Sequence, residues 1–181
     1  MRHIMLDLET MSSNSDAAVA SIGAVAFDPI TGELGKTYHT AVMLSCQEDK
    51  RHFSGKTIMW WLEQSDAARK AIANNPVTPE LAIKNFNLFF AEVGGKYLWS
   101  HATFDAVVFR SFCECFGFKG AWHYRDARDI RTISALAHDM QYVPSKKDES
   151  LVEHNALDDA IEQAKYVSEM YQFIRDKHGK Q

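Results

Sequence analysis

Carboxylate side chains occur in this sequence at spacings that suit joint chemistry. Asp7 and Glu9 lie two residues apart within an apolar segment. If that segment is a strand, the two carboxylates share one face, and the other face carries the apolar side chains Ile4, Leu6 and Leu8. In a central strand the carboxylates repel each other, so one pKa rises or a cation lies between them. In an edge strand the pair would face water, and the spacing by itself is compatible with both arrangements.

A third carboxylate, Asp105, stands at the head of a segment rich in phenylalanine. Val108, Phe109 and Phe112 follow it at helical spacing, so all four residues share one side of a predicted helix. A carboxylate at the head of an apolar helix face needs a partner. The alternative is an N-terminal acid that interacts favourably with the helix dipole.

The segment around His154 carries a helix start together with a titratable ring. Asn155 and Asp158 have the spacing of a capping box, which predicts a helix beginning at Ala156. Asp159 then lies about one turn inside the helix, and His154 can act with it only by reaching in from the preceding loop. A neutral imidazole beside a metal-held carboxylate can accept a proton from water near pH 7. The alternative is a surface histidine in front of an amphipathic helix.

The elements that must position these residues follow from hydrophobic periodicity and from turn signals. Strands are predicted at 3–9, 19–27, 38–43 and 97–100. Helices are predicted at 58–64 with Thr57 as the cap, at 66–73 with Ser65 as the cap, from Thr78-Pro79 onward, from 104 to 117, at 128–140 and at 155–175. Three strands followed by alternating helices and strands predict a mixed sheet with helices packed on it.

Taken together, the four carboxylates and the late histidine resemble the DEDD-type 3′–5′ exonucleases, in their histidine-bearing branch. The matching segments are Asp7-Leu8-Glu9-Thr10, Phe104-Asp105, and His154 through Asp159. Three further segments resemble the small phage and bacterial RNase-T-like exonucleases: Ala26-Phe27-Asp28-Pro29, Trp60-Trp61 and Arg128-Asp129-Ile130-Arg131-Thr132. The resemblance implies an α/β, RNase H-like fold, with a mixed five-stranded sheet flanked by helices. It also implies a single exonuclease domain over residues 1–181.

The function implied by the resemblance is metal-dependent 3′–5′ exonuclease activity on single-stranded nucleic acid, with release of nucleoside 5′-monophosphates. Two Mg²⁺ ions, or Mn²⁺ as a substitute, would be held by four carboxylates, and His154 would be the general base. The implied ligands are Asp7, Glu9, Asp105 and Asp159. Oxygen ligands of this kind suit such ions. The alternative is a catalytically silent RNase H-like module that binds nucleic acid, although such a module has no need of mutually repelling acids.

Substrate contacts are expected at six positions near these motifs, namely Thr10, Met11, Trp61, His101, Phe104 and Arg131. Met11 and Trp61 are candidates to flank the 3′-terminal base, because bases stack on aromatic or long apolar side chains. Core packing is the alternative for Trp61. Arg131 is a candidate for a backbone phosphate, with an ion pair to Asp126 or Asp129 as the alternative.

The charge balance narrows how nucleic acid could bind. The chain carries 20 basic and 24 acidic residues, a net charge of −4, which argues against binding over the whole surface. Between Lys119 and Lys147 the sign reverses, since this stretch contains Lys119, Arg125, Arg128, Arg131, Lys146 and Lys147 against Asp126, Asp129 and Asp139. Trp122 and Tyr124 interleave with the cations, as along a single-strand path. A solvated loop with one buried ring is the alternative.

The remaining expectations concern partners and location. Single-stranded DNA or RNA 3′ ends are the expected partners, a nucleoside monophosphate the product, and a homodimer is an arrangement that the resemblance allows. No apolar run is long enough for a membrane span, so no membrane partner is expected. The three cysteines have no paired spacing and are expected to be reduced thiols of a cytoplasmic protein.

Overall fold

The first strand occupies the middle of the sheet in the computed structural model, which describes residues 1–145 and 151–178. Strand β1, His3–Thr10, pairs antiparallel with β2, Val19–Phe27, and parallel with β4, Tyr97–Ser100. Strand β3, Leu34–Ala41, lies beside β2, and β5, Ala127–Asp129, lies beside β4. The order is β3-β2-β1-β4-β5. The mixed five-stranded sheet is therefore confirmed, and the edge position considered for the Asp7 strand is wrong.

Six α-helices surround the sheet in the described part of the chain. They are α1, Gly55–Glu63; α2, Asp66–Ala73; α3, Pro79–Glu92; α4, Asp105–Cys115; α5, Ile130–Asp139; and α6, Ala156–His178. None of these helices has both the length and the apolar character that crossing a membrane requires. Lys146 and Lys147 of the basic stretch lie outside the described residues.

Alternation along β1 sends its side chains into two separate cores. Leu6 packs on one face of the sheet with Phe86 of α3 and Phe109 of α4. On the other face, Met5 packs in the core formed with α5 and α6, which includes Val167. Asp7 and Glu9 have the same parity as Met5, so β1 presents its two carboxylates toward α6.

Several element boundaries differ from the sequence-based predictions. Ser54, not Thr57, caps α1, because the Ser54 hydroxyl accepts the Thr57 N–H. The third strand begins and ends earlier than 38–43. The predicted helix at 128–140 begins at 130, because three residues before it form β5 and Asp129 caps α5 by accepting the Thr132 N–H. Ser65 and Thr78 are the caps of α2 and α3, as predicted.

The first turn of α6 lies directly against β2 at Gly23. This glycine is the cross-strand partner of Asp7 in the antiparallel register. A Cβ atom built on Gly23 would lie 2.1 Å from the backbone carbonyl of Ala156 and 2.3 Å from the backbone nitrogen of Leu157. The absence of a side chain at Gly23 therefore lets α6 approach the sheet beside Asp7.

Substitution of this glycine should damage the fold locally. Gly23→Ala is expected to destabilise the protein by roughly 1–3 kcal/mol, because backbone atoms of α6 must move to admit the methyl group. The melting temperature measured by circular dichroism should fall by about 2–12 °C. Gly55→Ala is the matched control, since a Cβ at Gly55 meets nothing within 4 Å. An unchanged melting temperature in Gly23→Ala would contradict the close approach.

Candidate active site

The first two carboxylates of the site lie at the end of β1. Asp7 and Glu9 retain only 9% and 8% of their surface exposure. The strand register shifts between Glu9 and Thr10, so the regular ladder ends just past the pair. Because β1 is central and its neighbours cover it on both sides, these side chains are held in a protein environment and not in bulk water.

The third carboxylate is brought in by the link between β4 and α4. Asp105 is the first residue of α4 and is 3% exposed. Its Oδ2 accepts the backbone N–H of His101 at 3.0 Å. Burial raises the pKa of Asp105 to about 7, although backbone N–H groups of His101, Asp105 and Leu8 act in the opposite direction. Asp105 is therefore a buried, desolvated carboxylate, and not a solvent-facing acid at a helix start.

The fourth carboxylate and the histidine come from the start of α6. Asp159 accepts the backbone N–H of His154 at its Oδ2, at 3.1 Å. His154 has a φ of 62°, a left-handed conformation that a non-glycine residue rarely adopts. Ligand atoms of Glu9, His154 and Asp159 all lie within 4.8 Å of one another. His154 thus reaches the carboxylates from the loop in front of the helix.

Side chains at the helix start hold this loop in place. Asn155 caps α6 as predicted, since its Oδ1 accepts the backbone N–H of Leu157 at 3.0 Å. Asp158 accepts the backbone N–H of Val152 at 3.0 Å, and so ties the loop to the first turn. The loop conformation that carries His154 is therefore fixed by hydrogen bonds on both of its sides.

The carboxylates raise one another's pKa values. Burial is the main cause of the raised pKa of Asp7, followed by the charges of Asp105 and Glu9, and a weaker contribution comes from Asp159. The amide of Gln163 acts against this by donating to Asp7 Oδ1 at 2.7 Å. Burial, then Asp159 and Asp105, raises the pKa of Glu9 to about 8. A divalent cation would relieve this repulsion, and the oxygen donors are of the type that such cations prefer.

The adjacent tryptophans of α1 face different surroundings. Trp61 is 4% exposed, and its indole N–H donates to the carbonyl of Thr10 at 3.0 Å. Met11 lies in the same buried cluster, which favours the packing alternative for Trp61. Trp60 is 40% exposed, and its ring meets the His154 ring edge to face with 4.8 Å between centroids. Sequence reasoning missed Trp60, although two consecutive residues of a helix point about 100° apart and cannot both face the core.

The other expected substrate contacts surround Asp105. His101 lines a cavity of about 470 Å³ together with Asp159 and Tyr166. Arg131 is exposed, and its Nη1 donates to Thr103 Oγ1 at 3.3 Å.

Thr10 and Phe104 are less open than these two residues. The Thr10 hydroxyl is buried and donates to the carbonyl of Ser12 at 2.8 Å. Phe104 packs, partly buried, against the core. Arg131 therefore offers an exposed cation to a ligand, whereas the Thr10 hydroxyl and the Phe104 ring are less open.

Known structures share this architecture at low sequence identity. The nuclease domain of 3′hExo, described as a DEDDh family member bound to rAMP, matches with a TM-score of 0.65 and 15% identity over 94% of this chain and 91% of that chain. Cell-death related nuclease 4 matches with a TM-score of 0.66 and 14% identity over 93% of this chain and 62% of that chain. E. coli exonuclease I, in complex with an oligonucleotide, matches with a TM-score of 0.63 and 13% identity. The match covers 98% of this chain and 41% of that chain. The RNase H-like fold is confirmed by these likenesses.

Two sequence comparisons extend the structural ones. The exodeoxyribonuclease of Enterobacteria phage T4 is 38% identical over 81 residues, which cover 40% of this chain and 35% of that protein. The match therefore spans about a third of the curated relative. The model of the 3′-5′ exoribonuclease Rv2179c-like domain matches residues 2–171, a range that contains all four carboxylates and His154. Since this range is nearly the whole chain, the chain belongs to the family of 3′-5′ exoribonuclease Rv2179c-like domains.

Proposed function

We propose that this protein is a metal-dependent 3′–5′ exonuclease that hydrolyses single-stranded nucleic acid and releases nucleoside 5′-monophosphates. The observation that carries the proposal is the meeting of carboxylates from β1, α4 and α6 with the His154 ring at the end of the central strand. Membership in an exoribonuclease domain family supports the same reaction.

The carboxylates would hold the divalent ions, which we expect to be two Mg²⁺, with Mn²⁺ as a substitute. Asp7 lies within electrostatic reach of Glu9, Asp105 and Asp159, because all three contribute to its raised pKa. Asp7 would therefore hold the ions together with these three carboxylates. When bound, such ions supply activation of the attacking water and stabilisation of charge on the leaving 3′-oxygen.

His154 would accept the proton of the attacking water. The water oxygen forms a bond to phosphorus while the bond from phosphorus to the 3′-oxygen breaks, and solvent protonates the departing oxygen. The backbone N–H of His154 donates to Asp159, the His154 ring contacts Trp60, and a ring nitrogen lies within 4.8 Å of a Glu9 oxygen. The proximity of the His154 ring to Glu9 and Asp159 supports this role, because a general base must lie within reach of the proton that it removes.

Residues around the carboxylates would bind the 3′-terminal nucleotide. Trp60 offers an exposed ring face next to His154, so it replaces Trp61 in the proposed stacking role. Arg131 and His101 lie near Asp105 and would contact phosphate. The names of the family and of the phage relative differ in the sugar, ribose against deoxyribose, so both sugars belong in the test.

The experiment that tests this proposal is digestion of a 5′-labelled single strand, as DNA and as RNA of one sequence, with Mg²⁺, Mn²⁺ or EDTA. We expect a ladder that shortens from the 3′ end by single nucleotides, with either metal and not with EDTA. Asp7→Asn should lower the rate by at least about 10²–10³-fold, because it removes a charge that the metal site needs.

The same assay identifies the competing activities. A circular single strand should stay intact, since an exonuclease requires an end, and its cleavage would indicate an endonuclease. A parent protein as inactive as Asp7→Asn on both sugars and with both metals would contradict the proposal. In that case the protein would be a nucleic-acid-binding module without catalysis.

Neutralising one of the crowded carboxylates should make the metal-free protein more stable. The pKa of Glu9 is raised to about 8 in the folded protein, so its contribution to stability is lost as the pH rises toward and through that value. Glu9→Gln cannot ionise. In EDTA at pH 8.5 the variant should therefore melt at a higher temperature than the parent. Its free energy of unfolding should exceed that of the parent by an amount on the order of a few kcal/mol.

The difference between Glu9→Gln and the parent should shrink as the pH is lowered toward 5, and adding Mg²⁺ should stabilise the parent more than the variant. Glu63→Gln, at an exposed glutamate of α1, is the control and should show no such pH dependence. A destabilised Glu9→Gln at pH 8.5 in EDTA would be inconsistent with carboxylate repulsion.

Replacement of His154 should separate catalysis from metal binding. His154→Asn is the informative change, because asparagine tolerates the left-handed backbone conformation of this position. We expect kcat to fall by about 10²–10⁴-fold, while Mg²⁺ still raises the melting temperature of the variant. Loss of that metal-induced stabilisation would instead identify His154 as a metal ligand.

A further inference from the structure

A continuous groove runs along the exposed side of α4, outside the carboxylate site. It consists of two adjoining hollows, with cavity volumes of about 450 Å³ and 260 Å³. Arg110, Glu114 and Trp122 line both hollows, so the two share a common wall. We call this feature the α4 groove. Its combined size is on the scale of binding sites for small organic molecules such as nucleotides.

The inner end of the α4 groove lies next to the carboxylate site. Ala102 and Ala106 line the first hollow, and they flank Asp105 in the chain. The backbone N–H of Ala102 donates to Asp129 Oδ1 at 3.2 Å, which fixes this corner against β5. The first hollow therefore begins beside the segment that carries Asp105.

Three cations along the groove have no carboxylate partner. Arg110 and Lys119 line the groove, and Arg125 is hydrogen-bonded to Tyr124 beside it; none of the three forms a salt bridge within residues 1–145 and 151–178. The Arg110 guanidinium lies over the Trp122 ring at 5.8 Å, which restrains it at the junction of the two hollows. In a chain with a net charge of −4, such unpaired cations make this surface locally attractive to phosphate.

The two aromatic residues of the basic stretch have different places in the groove. Trp122 is 6% exposed and stacks on Phe109 with 5.6 Å between centroids, so it forms a fixed wall. Tyr124 is 57% exposed and lines the outer hollow. Its hydroxyl accepts a hydrogen bond from Arg125 Nε at 2.9 Å, and the guanidinium lies over the ring at 5.5 Å. Tyr124 is thus an exposed ring with a cation held beside it.

We propose that the α4 groove binds the nucleotides of a single strand upstream of its 3′ end. The inference rests on the proposed nuclease function, because that function places the 3′ end at the carboxylates. Cations that follow the phosphates and an exposed ring on which a base can stack are the elements of sequence-independent single-strand binding. Phosphate contacts of Arg110 and stacking on Tyr124 add affinity for long strands and contribute nothing to a substrate of one nucleotide.

Replacement of Glu114 should change strand binding in the direction opposite to replacement of Arg110. The exposed Glu114 carboxylate lines both hollows, which also contain Arg110. The Glu114 carboxylate repels the phosphates of a bound strand, so Glu114→Gln should strengthen strand binding. Removal of the Arg110 guanidinium should instead weaken strand binding. A purely structural role of this helix face does not produce such opposite effects.

The experiment compares a single strand of about 12 nucleotides with the p-nitrophenyl ester of thymidine 5′-monophosphate, which occupies the carboxylate site alone. Arg110→Gln and Tyr124→Ala are expected to raise KM for the long strand by roughly five- to fiftyfold, with kcat unchanged. Glu114→Gln is expected to lower that KM by about two- to fivefold at low salt. No variant should alter KM for the ester.

Arg175→Gln, on the opposite side of the sheet, is the control and should alter KM for neither substrate.

Binding without turnover completes the test. The same changes are made on an Asp7→Asn background, and the fluorescence anisotropy of the labelled long strand is measured in Mg²⁺. Equal effects on both substrates, or no effect on the long strand, overturn the groove assignment. If the parent hydrolyses neither substrate, the proposed function fails, and the anisotropy series alone decides whether the groove binds the strand. If labelled polyglutamate binds the protein and loses that binding in Arg110→Gln, while no variant alters strand binding, the groove is a site for acidic peptides and the proposal is overturned.

Discussion

Repulsion between buried carboxylates is the constraint on which the rest of this structure depends. Burial and the neighbouring acids raise the pKa values of Asp7, Glu9 and Asp105, so the site is unfavourable in isolation. The fold holds the groups together nonetheless, because each belongs to an element fixed by apolar packing elsewhere. Strand β1 is buried between two cores, and the helices that supply Asp105 and Asp159 each pack on one of them. The hydrophobic cores therefore supply the free energy that keeps the acids close.

Local hydrogen bonds then determine how the acids are oriented. The Gln163 amide donates to Asp7, the His101 backbone N–H donates to Asp105, and the His154 backbone N–H donates to Asp159. The bonds to Asp7 and Asp105 favour the ionised carboxylate, and so oppose the effect of burial on the pKa values of these two residues. A divalent cation bound here would favour the ionised carboxylates further. Gln163 would not hold a metal ion itself, but its hydrogen bond orients the Asp7 carboxylate.

Much of this site could be predicted from the sequence, because its residues lie in short motifs with clear local structure. The alternation of β1 and the Asn155 cap of α6 are local signals, and both are present in the structure. Features that depend on tertiary contacts could not be predicted. Strand β5 has only three residues and exists through its pairing with β4. The importance of Gly23 follows from the approach of α6, and the exchange of roles between Trp60 and Trp61 follows from which side of α1 faces the core.

The distribution of charge addresses a difficulty that any acidic nuclease meets. Once ionised, the four carboxylates carry a formal charge of −4 that repels phosphate, and two divalent ions would cancel this charge. Until metal is bound, long-range attraction of a strand must come from elsewhere, since the chain as a whole is also acidic. Arg110 and Lys119 line the α4 groove, and the lining of the groove includes none of the four carboxylates. Separation of the anion-attracting surface from the metal-binding centre lets each meet its own requirement, because screening by salt weakens their mutual influence over about 10 Å.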